Sequence, residues 1–191
     1  FQDLSLTLSP GDKLGLLGQN GSGKTTLLKL LNGELTPDTG RIERADGLRV
    51  VTFDQNRRQL NPDETLRRPL APAGDSVIYR DRSVHVHSWA RRFLFRNEQL
   101  DLPVSRLSGG EQARVMIARM MLEPADVLLL DEPTNDLDIP TLEVLEESLD
   151  DFPGALVLVT HDRFLLDRVS TAVLALDGAG KAELFADYDQ W

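Results

Sequence analysis

The chain has 191 residues, the length of one domain or of one domain with a subdomain, which is enough to bury a hydrophobic core. It contains no cysteine, which excludes disulfides and thiolate metal sites, and no apolar run approaches the roughly 20 residues that a membrane-spanning helix needs. The formal net charge of −10 at pH 7 argues against strong nonspecific binding of nucleic acid by the whole surface.

The first predicted elements surround a glycine-rich segment. Apolar residues alternate over residues 1–8, which predicts a half-buried strand, and residues 13–17 form a second predicted strand. The sequence GQNGSGKT follows at residues 18–25 and opens into a helical pattern that we expect to end near Asn32, before Gly33. The next predicted strands cover residues 41–43 and 48–53.

A glycine-rich segment between a strand and a helix is the arrangement that binds phosphate. Free backbone N–H groups and the positive end of the helix dipole converge there on an anion, and glycine lets the backbone approach it closely. We predict that Lys24 reaches the terminal phosphates and that the Thr25 hydroxyl ligates Mg²⁺. The alternative is a glycine-rich turn before an ordinary core helix, which the agreement of motif and context disfavours.

The middle of the chain is basic and weakly periodic. Residues 56–96, here called the basic middle section, contain nine basic and four acidic residues, a local charge of +5 that leaves −15 for the rest of the chain. Its best helix candidate is residues 88–95, with three apolar side chains predicted on one face, namely Trp89, Phe93 and Leu94.

From residue 108 onward helices and strands alternate. Ser108 is predicted to cap a helix that ends at Pro124. The later elements are a strand at 127–130, a helix at 140–149, a strand at 155–160, a helix at 163–169, and strands at 171–176 and 182–185. This order predicts an α/β fold with a largely parallel core sheet and an antiparallel N-terminal β subdomain. We expect one domain, with its core at about residues 1–55 and 104–191 and a small helical subdomain at about 56–103.

The apolar strand VLLL at residues 127–130 ends in two carboxylates. Asp131 would face the crevice where open sheets bind ligands, so we predict that it holds Mg²⁺, directly or through water. Glu132 would act as the general base or position the attacking water. These acids by themselves could merely end a strand before Pro133. Together with the phosphate loop they indicate a hydrolytic site for a nucleoside triphosphate.

A second candidate anion site is the sequence LSGGE at residues 107–111. Two glycines after a serine at a helix start again present backbone N–H groups to an anion. One nucleotide needs only one phosphate loop. The second site therefore indicates a second nucleotide, or a nucleotide held by a partner.

These segments, with NDLD at residues 135–138 and VTHD at residues 159–162, resemble the nucleotide-binding domain of ATP-binding cassette proteins. EPTNDLD followed by THDRFLLD is similar to the ABC-F subfamily, and the middle section and the ending YDQW resemble the second cassette of its Uup-like branch. Members of this subfamily carry two cassettes on one chain and have no transmembrane partner. The resemblance implies a cytoplasmic protein of which this chain, beginning at Phe1 rather than at methionine, is one part.

The resemblance also implies a P-loop ATPase whose site is shared between two cassettes. Nucleotide contacts would come from Gly18, Gln19, Asn20, Gly21, Ser22, Gly23, Lys24, Thr25, Thr26 and the Q-loop residue Gln55. Mg²⁺ would be held by Thr25, Gln55 and Asp131, and the catalytic residues would be Glu132, His161 and Lys24. The signature residues that contact the partner's ATP would be Ser108, Gly109, Gly110 and Glu111.

Some of these assignments have simpler alternatives. His161 could be a helix-capping surface residue, and Gln55 could be an ordinary glutamine after a strand.

The resemblance has two further implications. Asp138 would lie in the loop that faces the partner cassette. In the family pattern, the aromatic residue that stacks on adenine lies upstream of residue 1.

ABC-F members of known role act at the ribosome, and some Uup-like proteins are associated with DNA. We therefore hypothesise that the basic middle section contacts the phosphate backbone of ribosomal or transfer RNA, through Arg91, Arg92 and Arg96 beside Trp89 and Phe93. The alternative is a solvated arginine face without a partner.

The leading hypothesis for function is an Mg²⁺-dependent ATPase that closes and reopens a two-cassette clamp on a ribosome or nucleic acid. The ATPase subunit of a membrane transporter is an alternative, against which NDLD and the arginine-rich middle argue. A third possibility is a binding module that ATP switches with little turnover.

Overall fold

A computed structural model describes residues 3–53 and 60–186. The strands are β1 (Lys13–Gly18), β2 (Val50–Phe53), β3 (Ser76–Tyr79), β4 (Arg82–His85), β5 (Val127–Asp131), β6 (Ala155–Val159), β7 (Ala172–Leu176) and β8 (Ala182–Phe185). The helices are α1 (Lys24–Asn32), α2 (Arg67–Leu70), α3 (Val86–Arg92), α4 (Gly109–Leu122), α5 (Ile139–Asp150) and α6 (Arg163–Val169), with 3-10 turns at Asn97–Asp101 and Val104–Arg106.

The chain forms two compact units, which are described separately. The first contains Phe1–Asp54, Ala125–Thr134 and Leu149–Trp191, and the second contains Gln55–Pro124 and Asn135–Ser148. The second unit thus extends beyond the helical subdomain that we expected at about residues 56–103. It takes in α4 and the NDLD segment, because these pack with the middle section rather than with the sheet.

A six-stranded sheet in the order β2-β5-β6-β1-β7-β8 forms the first unit. Neighbouring strands pair in parallel from β2 through to β7, and only β8 is antiparallel, to β7. The central strands β5 and β6 are apolar and buried along almost their whole length, as expected of parallel strands covered on both faces. The α/β fold with a largely parallel sheet is confirmed.

The core of this unit is made by leucines and valines from β1, α1 and the central strands. Leu14 and Leu16 from β1 pack with Leu27 and Leu28 from α1, and each is at most 4% exposed. Burying a leucine side chain contributes roughly 1.5–3 kcal/mol, so this cluster anchors α1 to the sheet. Gly33 ends α1 with φ of 83°, which confirms the predicted stop.

The expected antiparallel N-terminal strands are not observed. The described residues before β1 form no strand, and neither do residues 41–43. Leu4, Leu6 and Leu8 nevertheless pack against the core. The alternation correctly indicated which side chains are partly buried, but a strand also needs a hydrogen-bonded neighbour, and this segment has none in the described chain.

The second unit contains a hairpin that the sequence reading missed. β3 and β4 pair antiparallel through a two-residue turn, Arg80 and Asp81, with φ of 52° and 60°. Positive φ at both turn positions is the geometry that suits the twist of a two-residue hairpin. Asparagine and glycine usually mark such turns, so Arg-Asp carried no recognisable signal.

Helix α3 is shorter than predicted, and its aromatic residues are buried. The helix ends at Arg92, Leu94 has φ of 62°, and its side chain is 52% exposed, so Leu94 does not share the buried face. Trp89 and Phe93 are at most 1% exposed and pack edge to face with ring centroids 4.9 Å apart. They belong to the core of the second unit, so they are not exposed beside the arginines of the hypothesised RNA contact.

No helix in the described ranges is long and apolar enough to cross a membrane.

Candidate functional site

The phosphate loop, residues 18–25, leads from the end of β1 into α1. Gly18, Gly21 and Gly23 have φ of 149°, 83° and 104°, a region that side chains disfavour. A Cβ on Gly18 would also overlap Ser22 Oγ and lie 2.6 Å from the Leu176 carbonyl oxygen. The loop is therefore folded tightly against itself and against the end of β7.

The start of α1 offers backbone N–H groups to an anion. In this part of the described chain no side chain caps α1 at Gly23, and its first turn contains no acidic residue. The positive end of the helix dipole is thus left uncompensated by the protein. Lys24 Nζ donates hydrogen bonds to the carbonyl oxygens of Gly18, at 2.7 Å, and Gln19, at 3.1 Å, so its charge lies across the same loop.

Two oxygen donors face each other beside this loop. Thr25 Oγ1 lies 3.5 Å from Asp131 Oδ2, where β5 ends next to the start of α1. A hydroxyl and a carboxylate are ligands of the kind that Mg²⁺ takes when nucleotide phosphates and water complete its shell. Ser22 Oγ is buried in the loop and finds no hydrogen-bond partner among the described residues, which fits a group that a bound phosphate would satisfy. The residues present thus fit a magnesium nucleotide.

Glu132 is held by His161, which lies two residues beyond the end of β6. Its carboxylate accepts a hydrogen bond from the His161 backbone N–H, at 3.3 Å, and its other oxygen lies 3.3 Å from His161 Nε2. Its own backbone N–H donates to the Val159 carbonyl at 2.8 Å, and its φ is 50°. The positive φ of this non-glycine residue is therefore accompanied by one backbone hydrogen bond and by two contacts from His161 that orient the carboxylate.

The position of His161 is set by its neighbours in the chain. Thr160 is buried, and its hydroxyl lies 3.1 Å from Thr134 Oγ1 and accepts a hydrogen bond from the Asp162 backbone N–H. Asp162 caps α6 by accepting from the N–H groups of Phe164 and Leu165. His161 thus lies between two anchored residues while its own side chain remains 68% exposed. Thr134 was not among the predicted site residues, because one threonine after a strand is unremarkable.

In the second unit, the LSGGE segment, residues 107–111, begins α4 with a capping box. Ser108 Oγ accepts from the Glu111 N–H at 3.2 Å, and Glu111 Oε2 accepts from the Ser108 N–H at 2.9 Å. Glu111 Oε1 accepts from Gln99 at 2.7 Å. The hydrogen bond from the Ser108 backbone is the main cause that lowers the pKa of Glu111, which keeps it ionised. Both carboxylate oxygens of Glu111 therefore have partners within its own unit.

The predicted site residues divide between the two units according to their expected role. The described residues expected at this chain's own nucleotide, from the phosphate loop through Asp131, Glu132 and His161, belong to the first unit. The signature residues and Asp138, expected to face a partner, belong to the second. Gln55 lies outside the described residues. Two further residues of the second unit, Arg114 and Thr141, contact Asp138 and were not predicted.

The fold and this arrangement define a P-loop ATPase domain of the ATP-binding cassette type. A family model described as "ABC transporter" matches residues 1–135. The chain belongs to this family.

Two curated relatives are similar to the chain over nearly all of its length. It is 46% identical over 180 residues to "ATP-binding protein Uup" of Caulobacter vibrioides, an alignment that covers 94% of this chain and 30% of that protein. It is 34% identical over 195 residues to "Energy-dependent translational throttle protein EttA" of Haemophilus influenzae, covering 100% of this chain and 35% of that protein. The resemblance to ABC-F proteins is confirmed, and which cassette the chain corresponds to stays a prediction.

Among solved structures, a similar one is titled "Crystal structure of the complex of archaeal ribosomal stalk protein aP1 and archaeal ribosome recycling factor aABCE1". It is 27% identical with a TM-score of 0.66, and the match covers 93% of this chain and 34% of that one. The chain therefore spans about a third of the length of the relatives that it matches.

Proposed function

We propose that this chain binds ATP with Mg²⁺ and hydrolyses it as one of two cassettes that pair around the nucleotide. The observation that carries the proposal is the grouping, in one compact unit, of the phosphate loop, the Thr25–Asp131 pair and the Glu132–His161 pair. A triphosphatase needs these three parts, which bind phosphate, hold the metal and orient the attacking water.

Each part has a role in the proposed reaction. The N–H groups at the start of α1 and the Lys24 ammonium bind the β- and γ-phosphates. Thr25 and Asp131 would hold Mg²⁺, which when bound neutralises charge on the phosphate oxygens. Glu132 accepts a proton from the water whose oxygen attacks the γ-phosphorus, while the bond to the bridging oxygen breaks and ADP leaves. His161 orients the Glu132 carboxylate through the two contacts described above.

The site would be completed by a second cassette. The proposed contacts of Ser108, Gly109 and Gly110 are with a nucleotide bound to the partner, as the resemblance to ATP-binding cassette proteins implies. Turnover by this chain alone should then rise with protein concentration, because two copies must pair to complete a site. The relatives suggest an in-cis second cassette in the longer protein, because the chain covers about a third of their length.

The substitution Glu132→Gln tests hydrolysis directly. The amide keeps the shape and can still accept from the His161 N–H, but it cannot take a proton. We expect phosphate release to fall about 10²–10⁴-fold while ATP binding persists. Glu147→Gln, the same change at an exposed position of α5, is the matched control. Phosphate release within about threefold of the parent in Glu132→Gln would instead favour a module in which nucleotide only switches shape.

We also propose that the full-length protein acts on a ribosome or another nucleic acid. Two similar proteins are named "translational throttle protein" and "ribosome recycling factor", which supports this proposal, as does the charge of +5 in the basic middle section. Arg91 and Arg96 are exposed, whereas Arg92 lies over the rings of Tyr79 and Trp89. The contact would therefore be made through phosphates, without stacking on Trp89 or Phe93.

Charge reversal at Arg91 and Arg96 tests this second proposal. In the full-length protein, the double change to glutamate should weaken cosedimentation with ribosomes and flatten its salt dependence, since fewer counterions are released. Arg41→Glu, an exposed arginine of the first unit, is the control. Equal cosedimentation of the double variant and the parent across a salt series would exclude this surface.

A further inference from the structure

Four residues of the second unit form a connected group, with Gly110 and Arg114 on α4, Thr141 in the first turn of α5 and Asp138 just before α5. Thr141 Oγ1 donates to the Gly110 carbonyl oxygen at 3.2 Å and accepts from Arg114 Nη1 at 3.3 Å. Thr141 is fully buried, so water cannot replace a hydrogen-bond partner that this hydroxyl loses. The direction of both bonds is thereby fixed, because arginine can only donate and a carbonyl can only accept.

Arg114 is buried more deeply than a charged side chain ordinarily is. It is 8% exposed, and its guanidinium carbon lies 5.5 Å from the centre of the Phe95 ring. The carboxylate of Asp138 lies near it, with Oδ1 at 4.0 Å from Nη1, and the carboxylate of Glu111 also interacts with its charge. A buried cation is costly unless it is paired, so the arrangement ties the side chain of Asp138 to α4.

Asp138 accepts hydrogen bonds from α5 and also lies close to α4. Its Oδ1 accepts from the Thr141 N–H at 3.0 Å, and its carbonyl oxygen accepts from the Leu142 N–H. The hydrogen bonds from Thr141, and to a smaller extent the charge of Arg114, lower the pKa of Asp138, so it is ionised at neutral pH. A Cβ on Gly110 would overlap the Asp138 carboxylate. The carboxylate therefore lies directly against the bare Cα of a signature residue.

We propose that Arg114 is a positioning residue that holds Asp138 against Gly110, so that the LSGGE and NDLD segments meet the partner cassette as one rigid surface. This inference rests on the pairing of cassettes in the proposed function. Arg114 contacts no nucleotide in this scheme. It acts through Thr141 and Asp138, and its loss leaves the two segments free to move independently.

The test measures pairing separately from nucleotide binding. In the Glu132→Gln background, where bound ATP should persist, self-association of this chain is followed by sedimentation velocity with and without ATP. Arg114→Lys keeps the charge but loses the planar fork, and Thr141→Val keeps the volume but loses the hydroxyl. Both should weaken ATP-dependent association about tenfold or more, the loss expected when a hydrogen bond to a charged group is removed.

Matched variants separate positioning from general destabilisation. Thr141→Ser restores the hydroxyl and should recover association, and Arg119→Lys makes the same change elsewhere on α4. ATP affinity, measured by equilibrium binding at concentrations where the chain is monomeric, should stay within about twofold of the parent in all four variants.

Parental association by both Arg114→Lys and Thr141→Val would overturn the inference. So would a fall in ATP affinity equal to the fall in association, because it would mean a loss of folded protein rather than of the partner surface. If the Glu132→Gln parent itself shows no ATP-dependent association, the pairing in the proposed function is wrong, and this inference fails with it.

Discussion

The phosphate loop contains two glycines that allow a direct comparison of strain and crowding. Gly18 and Gly21 both have positive φ, so alanine at either position must adopt a disfavoured backbone conformation. They differ in their surroundings. A Cβ on Gly21 meets nothing within 4 Å, whereas a Cβ on Gly18 overlaps Ser22 Oγ and lies 2.6 Å from the Leu176 carbonyl oxygen.

The expected cost follows from these two situations. Backbone strain costs about 1–2 kcal/mol in both variants, and alanine recovers about 0.4–1 kcal/mol of it by restricting the unfolded chain. Overpacking adds about 1–3 kcal/mol only in Gly18→Ala, because a backbone carbonyl and a buried serine have little room to move. The difference between the variants should therefore be about 2 kcal/mol, or about 4–8 °C in Tm for a chain of this size.

Thermal and urea unfolding followed by far-UV circular dichroism measure this difference. Gly21→Ala should stay within about 1 kcal/mol of the parent, and Gly18→Ala should lie clearly below both. Equal midpoints for the two variants, or a lower one for Gly21→Ala, would refute the argument that Gly18 is required by the close approach of Leu176.

Three further predictions concern ionisable groups. The hydrogen bond from the Arg49 side chain lowers the pKa of Asp126 from 3.8 to about 2. The ionised carboxylate therefore stabilises the folded state in full above pH about 4, and this stabilisation is lost as the pH falls through 2. Urea midpoints of Arg49→Met should depend less on pH over that window, and an unchanged slope would contradict the linkage. Glu111→Ala removes the capping box and should lower the free energy of unfolding, measured by thermal unfolding, by about 1 kcal/mol. An unchanged free energy of unfolding would mean that water replaces both hydrogen bonds without cost. Asp131→Asn should raise the Mg²⁺ concentration for half-maximal ATP hydrolysis about tenfold or more, while binding of ATP in chelator is unchanged; an unaltered Mg²⁺ titration would remove Asp131 from the metal site.

Much of the first unit could be predicted because its signals are local. The apolar runs of β5 and β6 and the glycine after α1 each act within a few residues, and these three elements are observed as predicted. In the second unit the serine before α4 acts in the same way. Predictions failed where the outcome depends on a distant neighbour. Leu4, Leu6 and Leu8 alternate with polar residues but pair with no strand in the described chain. Trp89, which we expected beside the arginines of an RNA contact, is covered by Phe93 and by Tyr79 of the hairpin.

The sequence by itself determined the chemistry of the candidate site. The strings GQNGSGKT, LSGGE and VLLLDEP predict a phosphate loop, a second candidate anion site at a helix start and a pair of carboxylates, because the geometry of each is created within its own strand, turn or helix.

Only the tertiary structure decided how these parts are grouped. Residues 106 positions apart, such as Thr25 and Asp131, lie 3.5 Å from each other because parallel strands bring their carboxyl ends to one edge of a sheet. The pairing of Arg114 with Asp138 depends in the same way on how α4 and the start of α5 pack in the second unit. Such contacts arise from the packing of whole elements, which no short stretch of sequence encodes.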